Sequence, residues 1–154
     1  MFTIDPILSF LSFQEIYAIV GVSKNKKKFG RMVYDELKKK GYHVLAVNPN
    51  NFTIENDKVY SSLAELPNEV KRIIILTPKS QSADIIQQAF ELEMTHIWLQ
   101  QMCDTPKALG LGKSGMAQFI YGNCIMMIAE PVQGLHAFHR SIKRTFGLFP
   151  KSKN

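Results

Sequence analysis

Apolar runs and helical stripes alternate along most of this chain. The first run, Ile16-Tyr17-Ala18-Ile19-Val20, is continuous and stops at Gly21, with Val22-Ser23 in the turn that follows. A short unbroken apolar run bounded by turn residues is the pattern of a strand buried on both faces, as in a parallel sheet. Residues 29–40 then carry apolar side chains at Phe29, Met32, Val33 and Leu37, a one-sided helical stripe closed by Lys38, Lys39, Lys40 and Gly41. A second run, His43 to Val47, ends at Asn48-Pro49. Residues 50–57 read as polar loop. Residues 59–67 read as one or two helical turns, with Ser62 and Glu65 at capping-box spacing. Residues 71–76 form a third strand ended by Thr77-Pro78, and residues 82–93 a second helix. Residues 96–99 are a fourth strand ending at Gln100-Gln101. Thr105-Pro106 opens a short helix over 105–109, while Gly110, Gly112 and Gly115 mark turns. A fifth strand spans 118–121, residues 125–128 are apolar, and Pro131 starts a last helix.

Strand and helix in alternation predict an α/β fold: a doubly wound, Rossmann-like, mostly parallel five-stranded sheet with helices on both faces. The expected organisation is an N-terminal helical extension over 1–14, opened by Asp5-Pro6, and a binding domain over 15–128. A basic C-terminal helix and tail then fill 129–154.

The 154 residues, 45% hydrophobic and 21% charged, suit one globular domain with a real core. No apolar run nears the ~20 residues of a membrane span, and no basic leader precedes the first apolar stretch, so a cytoplasmic protein is expected. Cys103 and Cys124 have no CxxC spacing and read as buried structural cysteines in a reduced compartment. Trp98 reads as core. The net charge of +6 favours an anionic partner without choosing among them.

In an open α/β sheet the ligand lies beyond the carboxyl ends of the strands. Those ends here are Gly21 to Ser23, Val47 to Pro49, Thr77 to Ser80 (with Pro78 and Lys79) and Leu99 to Gln101 (with Gln100). All are polar or turn-forming, and none is a carboxylate. Gly21 lets the chain turn sharply, and Ser23 can bond a ligand oxygen. The loop carries Lys24, Lys26, Lys27 and Lys28, of which one or two should touch ligand while the rest are solvated. Phe29 and Gly30 open a helix whose N-terminus suits an anion. A serine stands where the second glycine of Gly-x-Gly-x-x-Gly would sit, and Asn48 replaces the acid that receives an NAD ribose. A ligand with an extra ribose phosphate fits better, which leaves coenzyme A and NADP both open. Asn48-Pro49 serves either as ligand wall or as plain strand terminator.

Five stretches in order carry a resemblance: Ile19-Val20-Gly21-Val22-Ser23; Gly41 to Asn50; Val59-Tyr60-Ser61-Ser62-Leu63-Ala64-Glu65-Leu66-Pro67; Ile97-Trp98-Leu99-Gln100-Gln101; and Asn123-Cys124-Ile125-Met126-Met127. Over roughly residues 15–128 the chain resembles the small CoA-binding proteins, which are similar to the CoA-binding domain of the succinyl-CoA synthetase alpha subunit. The resemblance implies a Rossmann-like fold and coenzyme A as ligand. It implies Gly21, Val22 and Ser23 as phosphate-loop residues, Val47, Asn48 and Pro49 as the adenosine-side wall, and Thr77-Pro78 as the pantetheine-side turn. Residues 105–115 depart from it, being shorter and richer in glycine than the helix usual there, and the chain after Ile128 is an extension.

The expectation is therefore a coenzyme A or acyl-CoA binding protein without catalysis of its own. The rivals are an NADP-dependent oxidoreductase and a nucleotide-sensing regulatory protein using the basic segment around Arg140. That segment lacks a helix-turn-helix companion, so nucleic acid is not expected. His136 and His139 have no third partner at metal-ligand spacing and read as surface or interface residues. The apolar face of the last helix suits a homodimer.

Overall fold

A computed structural model describes residues 5–129. The strands are β1 (Ile16–Val20), β2 (His43–Val47), β3 (Thr53–Ile54), β4 (Asp57–Tyr60), β5 (Arg72–Ile75), β6 (His96–Gln100) and β7 (Gln118–Asn123). They form one sheet in the order β3-β4-β2-β1-β5-β6-β7. Every pairing is parallel except β3 with β4. The helices are α1 (Phe29–Lys39), α2 (Lys79–Glu91) and α3 (Pro106–Ser114).

The continuous apolar runs are explained by burial on both faces. In β1, Tyr17 and Ile19 enter one core with Val33 and Leu37 of α1, while Ala18 and Val20 enter the other with Ala83 and Ile86 of α2. Trp98 shares the first core and is fully buried, whereas its neighbours Ile97 and Leu99 serve the second. Helices thus lie on both faces, as expected, around seven strands rather than five. The two extra strands form in residues read above as loop and helical turn. Thr53 to Ile54 and Asp57 to Tyr60 make a small hairpin, and Val59 and Tyr60 pair with β2. Tertiary pairing overrides a polar composition there. Only Leu63–Glu65 remains helical, as a single 3-10 turn. The expected capping box does not form: Ser62 makes no side-chain cap, and the Glu65 carboxylate accepts from the amide of Ser61, one residue before the cap position.

Further expectations are corrected. Residues 106–114 are a nine-residue helix capped by Thr105, whose hydroxyl accepts from the Ala108 amide, so Gly110 and Gly112 lie inside it. A Cβ on Gly112 would press into the Phe119 ring, so this glycine admits helix-to-sheet packing rather than a turn. On α1, the buried face is Gly30, Arg31, Val33, Tyr34 and Leu37, while Phe29 and Met32 are exposed. The N-terminal segment forms turns, with the Asp5 carboxylate accepting from the Ile7 amide. It is tied down by Tyr17, whose hydroxyl donates to the Phe10 carbonyl and accepts from the Ser12 amide. Burial pushes that phenol up to about 12. Cys124 is buried as expected, whereas Cys103 is only half-buried, with its thiol held up by burial and by Asp104. The expected last helix, with His136, His139 and Arg140, lies outside the described residues.

Candidate functional site

The sheet changes winding direction between β1 and β5. From β1 the chain crosses through α1 to β2 on one side; from β5 it crosses through α2 to β6 on the other. The two departing loops leave a crevice between them, which is where an open α/β sheet offers a site.

Gly21 makes the first bend. Its φ of +99° suits glycine, and an added Cβ would lie 2.7 Å from the Leu76 carbonyl oxygen. The tips of β1 and β5 can therefore close on each other, with Leu76 N–H donating to the Val20 carbonyl and Gly21 N–H to the Val47 carbonyl. Gly30 makes the second approach. A Cβ there would lie 2.1 Å from the Gly21 carbonyl oxygen, so the first turn of α1 rests directly on the bend.

Loop 22–28 spans these two contacts. Asn48 Nδ2 donates to the Val22 carbonyl at 2.8 Å, and Asn48 Oδ1 accepts from the Asn50 amide. Asn48 thus joins the β2 tip to the start of the loop. Ser23 Oγ accepts from the Asn25 amide, and Asn25 Oδ1 from the Lys27 amide. Lys24, Lys26, Lys27 and Lys28 are all exposed.

Beside this loop lies a cleft of about 440 Å³. Its floor and one wall are Val20, Gly21, Val47, Asn48, Pro49 and Asn50. The other wall is Leu76, Thr77, Pro78, Gln81, Ile85 and Gln88, and Ser61, Ser62 and Leu63 close it. No charged residue lines it, so it suits an uncharged group with hydrogen-bonding edges, and the lysines stand outside. Thr77 is 5% exposed, and its hydroxyl has no partner. Buried hydroxyls are rarely left so, and each calls for a reason.

Of the residues singled out in the sequence, Gly21, Val47, Asn48, Pro49, Thr77 and Pro78 line this cleft together. Val22, the first residue of the loop, and Gly30 just beyond it are buried, Ser23 is half-buried, and Lys24, Phe29 and Lys79 are exposed. Lys26 lines a second cavity of about 400 Å³ with Arg31, Tyr34, Lys38 and Asp57. There Asp57 accepts from Lys38 and Tyr34, and these bonds hold its carboxyl below the usual range. Burial first, and the Asp57 contact second, raise the Tyr34 phenol. Gln100 is 2% exposed and turned inward: its Oε1 accepts from the Ile125 amide and from Trp98 Nε1. The sequence reading missed Asn50, Ser61, Ser62, Leu63, Gln81, Ile85 and Gln88 as lining residues. The spacing of Gln81, Ile85 and Gln88 at i, i+4, i+7 along one helix face was the available signal.

Among the described residues, no three His, Cys, Asp or Glu side chains are grouped to hold a metal ion, and no helix is long and apolar enough to cross a membrane.

Residues 15–130 match the family model described as "CoA binding domain". Over 63 residues, 40% of this chain, the sequence is 38% identical to the acetate–CoA ligase [ADP-forming] II subunit alpha of Pyrococcus furiosus. That alignment takes in 14% of the ligase subunit, far less than two thirds of its length. A conserved hypothetical protein from Pyrococcus furiosus superposes with a TM-score of 0.68 at 32% identity, covering 72% of this chain and 96% of its own. A hypothetical protein from Pyrococcus horikoshii superposes with a TM-score of 0.70 over 87% of this chain and 100% of its own; at 20% identity it supports the fold alone.

Proposed function

This chain belongs to the CoA binding domain family, and on that premise we propose that it binds coenzyme A or an acyl-CoA and performs no chemistry on its own. The observation that carries the reading is the division of charge at the β1 tip. An uncharged cleft lined by Thr77, whose hydroxyl is buried and unpartnered, adjoins a loop with four exposed lysines and the N-terminal turn of α1. Coenzyme A has the same division, with an adenine ring and an amide-bearing arm attached to anionic phosphates. The uncharged portion would enter between Asn48-Pro49 and Thr77-Pro78. The phosphates would meet Gly21, Val22, Ser23, Gly30 and the cations of Lys24 and Lys26, where amides and a helix dipole favour negative charge. Phe29 and Lys79 are the remaining residues proposed at the edge of the ligand, whereas Gln100, turned inward onto Trp98 and Ile125, is withdrawn from it. The likeness to a subunit of an acetate–CoA ligase supports the choice of ligand.

The absence of catalysis is inferred from the lining. The cleft's hydroxyls, Ser61, Ser62 and Thr77, have no carboxylate, imidazole or amine among the other lining residues to act as base. Asn48 at the β2 tip spends its amide on Val22, so an adenosine diol finds no carboxylate there.

Titration calorimetry of the full chain with coenzyme A, dephospho-coenzyme A, NAD and NADP tests the reading. Coenzyme A should bind most tightly and weaken when its 3′-phosphate is removed, and Ser23→Glu should abolish binding by setting a carboxylate against the phosphates. A preference for NADP would favour the oxidoreductase alternative, and no binding of coenzyme A would end the proposal.

A further inference from the structure

Arg31 was not singled out in the sequence, and its setting is unusual. It is 4% exposed in the first turn of α1, where the helix dipole opposes a cation. Its carboxylate partner, Asp35, is half in solvent. Burying a guanidinium in this way brings a desolvation penalty that one such pair offsets poorly, and apolar residues of similar volume often serve stability better. An i,i+4 pair on a helix contributes only about 0.3–0.5 kcal/mol. Helix stability therefore does not account for this residue.

The geometry of the fork does. Nε donates to both Asp35 oxygens, at 2.9 and 3.1 Å, which sets the plane of the guanidinium. Nη1 then donates to the Lys24 carbonyl at 3.0 Å, seven residues earlier and across the loop. Asn48 holds the other side of the same loop through the Val22 carbonyl. Loop 22–28 is thus pinned at two carbonyls by two buried or half-buried side chains, and its backbone is held in one arrangement.

We propose that Arg31 is a positioning residue: it fixes the Lys24 carbonyl, and with it the cationic loop that meets the ligand's phosphates, without touching the ligand itself. The role of the loop rests on the coenzyme A reading above, whereas the pinning of the loop does not. A lysine in place of Arg31 keeps the charge but lacks the planar fork that serves Asp35 and Lys24 together.

Amide hydrogen exchange and ligand titration of Arg31→Lys and Arg31→Met, compared with the unaltered chain, test this. Exchange should quicken at Asn25, Lys27 and Lys28, whose amides are bonded within the loop, while β1 and β5 amides keep their protection. Unchanged exchange in the loop, or equal loss everywhere, overturns the proposal whatever the ligand. In titrations, both variants should bind coenzyme A about tenfold more weakly, ~1.4 kcal/mol. Adenosine, an uncharged probe of the cleft followed by NMR shifts, should bind as before. Equal weakening of both ligands, or full affinity in Arg31→Lys, also overturns it. Failure of the unaltered chain to bind coenzyme A defeats the ligand reading, and the exchange result then decides the pinning alone.

Discussion

The tips of β1 and β6 lie at the carboxyl end of one sheet and both end in residues suited to contact a ligand, yet they differ in kind. At β1 the strand stops on a glycine, the backbones of β5 and α1 close on it, and side chains withdraw to leave a cleft. At β6 the polar Gln100 turns inward. The Ile125 amide and the Trp98 indole N–H both claim its carboxamide oxygen, and the β6–β7 ladder carries a bulge at this point. A polar side chain at a strand end faces a ligand only if no nearby buried donor needs it first. Residue type alone does not say which.

The contrast can be broken at either tip. The largest effect is expected from Gly30→Ala, because the new Cβ meets backbone on its crowded side and neither α1 nor the bend can yield cheaply. Urea denaturation should show a loss of about 3 kcal/mol or more, or no folded protein. Next comes Gln100→Ala, which leaves two buried donors without their acceptor. Stability should fall by about 2–3 kcal/mol, while coenzyme A affinity, measured well below the melting temperature, stays unchanged. A loss of affinity would mean the β6 tip is as open as the β1 tip. Thr77→Val should act in the opposite sense: stability within about 0.5 kcal/mol, since no protein partner is lost, but coenzyme A binding several-fold weaker in calorimetry.

The smallest effect concerns the hairpin that flanks the β1 side. Asp57 is held ionised by Lys38 and Tyr34, so its folded pKa lies below its unfolded value. Its stabilisation is present above the usual carboxyl range near pH 4 and is lost as the pH falls through the folded value. Denaturation midpoints between pH 5 and pH 2 should therefore fall less steeply in Asp57→Asn than in the unaltered chain.

Much of this molecule was legible from its residues. The apolar runs at Ile16, His43, Lys71 and His96 announce strands buried on both faces, because such strands have no polar side to show. The bend at Gly21 was equally visible, since a positive φ and a close backbone approach both favour glycine. These are local demands, met within a few residues of where they arise. The hairpin of β3 and β4, the inward turn of Gln100 and the burial of Arg31 were decided only in three dimensions. Each depends on which distant backbone group lies within hydrogen-bonding reach, and chain order does not encode that reach until the sheet and its helices have come together.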